Sequence, residues 1–143
     1  MKKLIEKAAA FGSSGVYFCE EMADAPIAEL FLSFRSDPVF GKVMFVGMGG
    51  IYAEIFNDTK TLILPVSRQE LLSNLTELKG YEIILGYRNK IKVNKNKLLN
   101  NFFNLIDFFL DETNECVSLE INPLFVYENS VKVIDCVMER KVS

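Results

Sequence analysis

The segment Val117-Ser118-Leu119-Glu120-Ile121-Asn122-Pro123-Leu124, followed after a turn by Val131-Lys132-Val133-Ile134-Asp135, governs how the rest of this 143-residue chain is read. Apolar and polar residues alternate with the period of a half-buried strand, so Leu119 and Ile121 are expected to face a core while Glu120 and Asn122 share the opposite face. Two strand steps, about 6.6 Å, separate the Cα atoms of Glu120 and Asn122, and both oxygen-bearing side chains can converge on one hard cation. Asn129-Ser130 reads as a tight hairpin turn in which Asn tolerates positive φ. The return strand ends in Asp135. If the hairpin pairs in register, this carboxylate joins Glu120 and Asn122 in an oxygen-only set that suits Mg²⁺ better than zinc. Spacing alone leaves a second reading open, a solvated acidic hairpin face with no ligand.

The composition sets the outer limits. A chain of this length fits one domain, residues 1–143, and buries a core without staples. Half the residues are hydrophobic and twelve are Phe, a globular composition. The net charge of −3 predicts no basic face, which argues against nucleic acid or an anionic membrane surface as the main partner. No apolar run approaches the length that spans a bilayer. Cys19, Cys116 and Cys136 show no Cys-x-x-Cys spacing and follow no signal peptide, so reduced thiols in a cytoplasmic protein are the expectation. Cys116 and Cys136 lie near the far ends of the two hairpin strands, where a contact between them is possible. The chain has no histidine at all. Catalysis by Ser-His-Asp or Cys-His, zinc ligation by imidazole and a phosphohistidine on this chain are thereby excluded.

Along the chain, Leu4, Ile5, Ala8 and Ala9 at helical spacing predict a short helix over 2–10, stopped by Phe11-Gly12-Ser13-Ser14-Gly15. Strands are expected at Val16–Cys19, leading into Glu20-Glu21-Met22, at about Ile27–Phe34, at Lys42–Val46 and at Thr61–Pro65. The Lys42–Val46 strand, nearly all apolar, reads as central. Gly47-Met48-Gly49-Gly50 follows it, either a plain turn or a place where backbone N–H groups approach a phosphate; it has neither the dinucleotide fingerprint nor the Lys-Ser/Thr of a P-loop. Ser67-Arg68-Gln69-Glu70 is a capping box that should open a helix running to about Leu78. The basic run Lys90–Lys97 reads as a solvated lead-in to the next helix, with anion binding as the alternative. Leu98, Phe102, Leu105, Ile106 and Phe109 then form an apolar stripe on a helix from Lys97 to Asp111 that packs on a sheet. Short strands with about three helices predict an α+β fold with a mostly antiparallel sheet.

Several local patterns, taken in order, resemble the ATP-grasp domain of the ADP-forming (NDP-forming) acyl-CoA synthetases, relatives of succinyl-CoA synthetase. They are Glu21-Met22, Glu29, Arg35-Ser36-Asp37-Pro38-Val39-Phe40-Gly41, Gly47-Met48-Gly49-Gly50-Ile51, Lys79-Gly80-Tyr81, Gly86-Tyr87-Arg88, Glu120-Ile121-Asn122-Pro123-Leu124 and Val133-Ile134-Asp135. The resemblance implies an ATP-grasp C-terminal subdomain, one of two lobes that clamp ATP or ADP. It implies an enzyme interconverting acyl-CoA, ADP and phosphate with a free acid, CoA and ATP, by way of an acyl phosphate and a phosphorylated histidine. By the same resemblance Glu20, Glu21 and Met22 form the hinge that reads adenine, Asn122 and Asp135 ligate Mg²⁺, and Glu120 faces the phosphoryl group or the loop presenting the histidine. Gly47, Gly49 and Gly50 would lie near the phosphate end of the cleft.

The chain also departs from that pattern. The N-terminal lobe whose lysines hold the phosphates is missing, as are the CoA-binding domains and the histidine-bearing segment, so those are the implied partners, with an oligomer possible. Where the family usually places an arginine before Pro65, this sequence shows Leu62. Two functions follow. In one the chain is the nucleotide- and Mg²⁺-binding lobe of an acid–CoA ligase, incomplete by itself. In the other it is a degenerate lobe kept as a non-catalytic assembly or binding module.

Overall fold

The computed structural model describes residues 6–7, 20–50, 58–87 and 91–141. Among the described residues six strands make one antiparallel sheet: β1 (Ala28–Asp37), β2 (Gly41–Met48), β3 (Thr59–Ile63), β4 (Cys116–Val126), β5 (Val131–Val133) and β6 (Cys136–Arg140). The spatial order is β3-β2-β1-β4-β5, with β6 also on β4. β4, at eleven residues, is long enough to hold β6 along its first half and β5 along its second. β2 is paired on both edges, by β1 and β3, as its apolar sequence suggested.

The helices α1 (Arg68–Thr76), α2 (Tyr81–Ile84) and α3 (Lys95–Leu110) contribute to the core with their apolar sides. Ser67 starts α1 by accepting from the Glu70 N–H at 3.1 Å, the first half of the expected capping box. α1 stops at Thr76, short of the expected Leu78. α3 begins two residues earlier than its apolar stripe indicated, because the Asn94 side chain caps the N–H groups of Asn96 and Lys97 at 3.1 and 3.3 Å. Leu98, Leu99, Phe102, Ile106 and Phe109 are its buried residues. They meet Leu30, Leu32 and Phe34 of β1 and Leu119, Ile121 and Leu124 of β4 in one hydrophobic cluster. The α3 C-terminus is held by Lys42 on β2, whose Nζ donates to the Phe109 carbonyl at 3.0 Å and pairs with Glu112 at 2.7 Å. A cation there satisfies orphan carbonyls and complements the helix dipole. The same ammonium holds the Glu112 carboxyl below its ordinary range.

Two local expectations need correction, and two more lie wholly or partly outside the described residues. The β4–β5 connection is a four-residue loop, Tyr127–Ser130, closed by the Tyr127 N–H donating to the Ser130 carbonyl at 2.9 Å. With that spacing Asn129 has no positive φ; Glu115 is the one described non-glycine residue that does. Cys116 stands across from Arg140 and Cys136 across from Ile121, so the ladder keeps the two thiols apart and both are free. Of the helix expected at 2–10 only Glu6 and Lys7 are described, and both are helical; the strand expected at 16–19 lies outside the described residues. Among the described residues no helix is long and apolar enough to cross a membrane.

Tyr81 carries a testable cost. It is 5% exposed, and its hydroxyl has no hydrogen-bond partner among the described residues. Burial alone pushes its pKa above the ordinary phenol value. Tyr81→Phe deletes the orphan oxygen and keeps the ring beneath Lys95. The variant should be more stable by about 1 kcal/mol, since an unpaired buried hydroxyl bears its desolvation penalty without return. Urea unfolding midpoints of the two proteins decide it: an unchanged or lower midpoint would contradict the expectation.

Candidate functional site

The helices cover one face of the sheet, and the opposite face carries the candidate site. In β4, Leu119 and Ile121 are buried while Glu120 and Asn122 are exposed, the alternation read from the sequence. Register determines what lies beside them. Ile121 pairs with Cys136 and Leu124 with Val133, and the same step carried between these pairs sets Asn122 opposite Asp135. The Asn122 N–H donates to the Asp135 carbonyl at 3.1 Å, and the Ile134 N–H donates to the Pro123 carbonyl at 3.2 Å. Residues directly opposed in an antiparallel pair project to one side with Cβ atoms about 4.5–5.5 Å apart. The amide of Asn122 and the carboxylate of Asp135 are therefore cross-strand neighbours.

The ladder on the β1 side of Asn122 breaks step in its row, while the side towards β5 and β6 keeps register. On the β1 side, Leu30 pairs with Leu124 and Leu32 with Ile121, leaving Phe31 to face Asn122-Pro123 across a bulge. On the other side, Ile134 and Asp135 fall in the gap between β5 and β6. A bulge locally re-aims a side chain and increases twist. Among the described residues the side chains of Glu120, Asn122 and Asp135 have no hydrogen-bond or ion-pair partner.

Asn122 and Asp135 make an open pair of oxygen ligands. No three Asp, Glu, Cys or His groups gather around one point among the described residues, which therefore build no closed cage. This donor set fits Mg²⁺, which keeps several waters and binds one or two carboxylates together with the phosphates of a substrate. Glu120 stands across from Ser33 on β1 and Val137 on β6, at the side of an open groove of about 480 Å³. Ser118, Arg35 and Glu139 continue that groove away from the Asn122 row. The Ser118 hydroxyl donates to Glu139 at 2.9 Å, and the Arg35 guanidinium lies over the Phe45 ring at 5.8 Å. Arg35 and Ser33 were not singled out from sequence as site residues. The same period-2 pattern marks them, because Phe31, Ser33 and Arg35 alternate with the buried Leu30, Leu32 and Phe34.

The other expected residues lie elsewhere. Glu20, Glu21 and Met22 are exposed in the irregular lead-in to β1, with Met22 90% exposed. Gly47 belongs to β2, where a Cβ would come within 2.7 Å of the Asp58 carbonyl. The Gly49 N–H donates to the Glu29 carbonyl at 2.8 Å, and a Cβ on Gly49 would press on the Leu30 backbone. Gly50 has φ +63 and abuts the Glu29 carboxylate. Close packing accounts for these glycines, and the Gly49 amide is already engaged. Leu62 is 2% exposed, a core residue of β3.

Residues 1–139 match the family described as ATP-grasp domain. Over 135 residues the chain is 31% identical to an ADP-forming acetate–CoA ligase of Methanocaldococcus jannaschii, a match covering 88% of this chain and 19% of that protein. Over 110 residues it is 32% identical to the beta subunit of ADP-forming acetate–CoA ligase I of Pyrococcus furiosus, covering 77% of this chain and 47% of the subunit. The chain thus spans less than half the length of these relatives. Its fold is similar to that of the dinucleotide forming acetyl-coenzyme A synthetase 1 of Ca. Korarchaeum cryptofilum, solved with coenzyme A and Mg-AMPPCP and with its phosphohistidine segment pointing towards the nucleotide binding site. The TM-score is 0.73 at 24% identity, covering 84% of this chain and 55% of that one.

Proposed function

Because the chain belongs to the ATP-grasp domain family, we propose that it is the nucleotide- and Mg²⁺-binding C-terminal lobe of an ADP-forming acyl-CoA synthetase, incomplete by itself. The observation that carries this reading is the facing pair Asn122 and Asp135, exposed, unpartnered among the described residues and backed by a bulge, on the face of the sheet opposite α1 and α3. In this reading Asn122 and Asp135 hold Mg²⁺, which when bound would neutralise charge on the phosphate oxygens of ATP or ADP. Glu120, one pleat along, faces the phosphoryl group or the histidine that receives it. Glu20, Glu21 and Met22 serve as the adenine-reading hinge. Gly47, Gly49 and Gly50 shape the phosphate end of the cleft by letting backbones pack closely. Phosphoryl transfer asks mainly for positioning and charge stabilisation, which exposed oxygen ligands on a stiff sheet can supply.

The lysine-bearing lobe and the histidine-bearing CoA domains are then partners that this lobe requires. One wall of a cleft leaves a triphosphate largely in water, so isolated affinity should be low. Calorimetry with Mg-ATP should give weak or undetectable binding to this chain alone and clear binding once an N-terminal ATP-grasp lobe is added. Tight binding by the isolated chain would defeat the split-clamp reading. One observation favours a second reading: Leu62 removes a cation that the resemblance expects, as a lobe retained for assembly would permit.

A further inference from the structure

We propose that the outward face of α3 is a contact between two copies of this chain, packed with the two helices antiparallel so that Lys97 of each copy meets Asp107 of the other. This contact stands independently of the nucleotide-binding reading. Helix α3 turns Leu98, Phe102, Ile106 and Phe109 into the core, and on its opposite side Lys97, Asn100, Asn104 and Asp107 are all exposed. Their steps of three, four and three residues set them in one stripe along the helix, the spacing at which two helices form a seam. Among the described residues none of these four side chains has a hydrogen-bond or ion-pair partner.

The stripe is complementary to itself when turned end for end. A second copy laid antiparallel with its Asn104 level with Asn100 brings Lys97 level with Asp107 at both ends of the seam. For a lone helix these charges are misplaced: α3 has no acidic residue in its first turn and no basic one in its last, so Lys97 crowds the positive pole and Asp107 the negative one. Beside an antiparallel neighbour they are correctly placed. Each ammonium then lies against the other helix's negative end, and each carboxylate against its positive end. Asn100 and Asn104 can donate to and accept from each other across the two-fold axis, which fixes the register at a cost in affinity. Phe108, 38% exposed, flanks the stripe and adds apolar area. With a polar centre and exposed ion pairs, association should be weak and sensitive to salt.

Sedimentation equilibrium of the full chain at low salt should show a mass that rises with concentration towards a dimer, and raised salt should reverse the rise. Lys97→Glu or Asp107→Lys alone sets like charges against each other twice in every dimer and should weaken association about tenfold. The double variant restores opposite charges and should recover the wild-type affinity. Each single substitution also puts a charge where its own helix dipole favours it, so the dilute monomer should melt no lower than the wild type. Association lost beside a preserved melt therefore reports on the contact and not on folding. A chain that stays monomeric at every concentration, association indifferent to either charge reversal, or a double variant no better than the singles would overturn the inference, the first by leaving this face to a partner other than a second copy.

Discussion

Turnover of an assembled ligase containing this lobe should fall by about 10²–10³-fold when Asn122 and Asp135 are both replaced by alanine, the scale set by removing a preorganised stabiliser of transition-state charge. The fold should not change. Both side chains are exposed and make no hydrogen bond or ion pair among the described residues, and the link across the hairpin runs through backbone atoms that alanine retains. The expected signature is thus lost activity with unchanged urea and thermal midpoints. Activity that survives the double substitution would leave the assembly-module reading in possession of the field. Asp135→Asn is a useful intermediate: it keeps an oxygen ligand, removes the charge, and should weaken the apparent affinity for Mg²⁺ before it abolishes turnover.

The largest effect on stability is expected at Phe34. This β1 side chain is 0% exposed and its ring centroid lies 5.4 Å from that of Phe109 on α3, joining the sheet to its longest helix. Phe34→Ala removes that contact and leaves a cavity in the centre of the hydrophobic cluster, at a cost of about 3–5 kcal/mol. Domains of this size hold only about 5–15 kcal/mol in all, so the variant should unfold at much lower urea and be partly unfolded at physiological temperature. A loss under 1 kcal/mol would mean the core closes over the gap and that the helix does not depend on this ring.

Much of this arrangement was written in period and cap. Alternation in 117–124 assigned the faces of Leu119, Glu120, Ile121 and Asn122 correctly, because a strand with one wet face leaves register little freedom. The Ser67 cap and the α3 stripe were legible for the same reason, being local. Other features depend on chain segments far apart in sequence. The bulge opposite Asn122 needs β1 and β4 paired, and the Lys42 grip on α3 spans 67 residues. At Tyr127–Ser130 the sequence Asn-Ser suggests a tight reversal, whereas a four-residue loop closes there without positive φ at Asn129. At Gly47–Gly50, glycine signalled backbone approach, but a sequence cannot say whether the approaching atoms belong to a ligand or to Asp58 and Glu29.

The double interruption around Asn122 has a wider implication. With β1 out of step beside that one row and β5 and β6 both ending at it, the candidate ligands sit on a crease that the interlocked layers beneath do not use. Selection could blunt or restore the chemistry at this spot with little penalty to folding. A silent descendant and a working ancestor would then be indistinguishable by melting curve, and assays of metal and nucleotide would have to tell them apart.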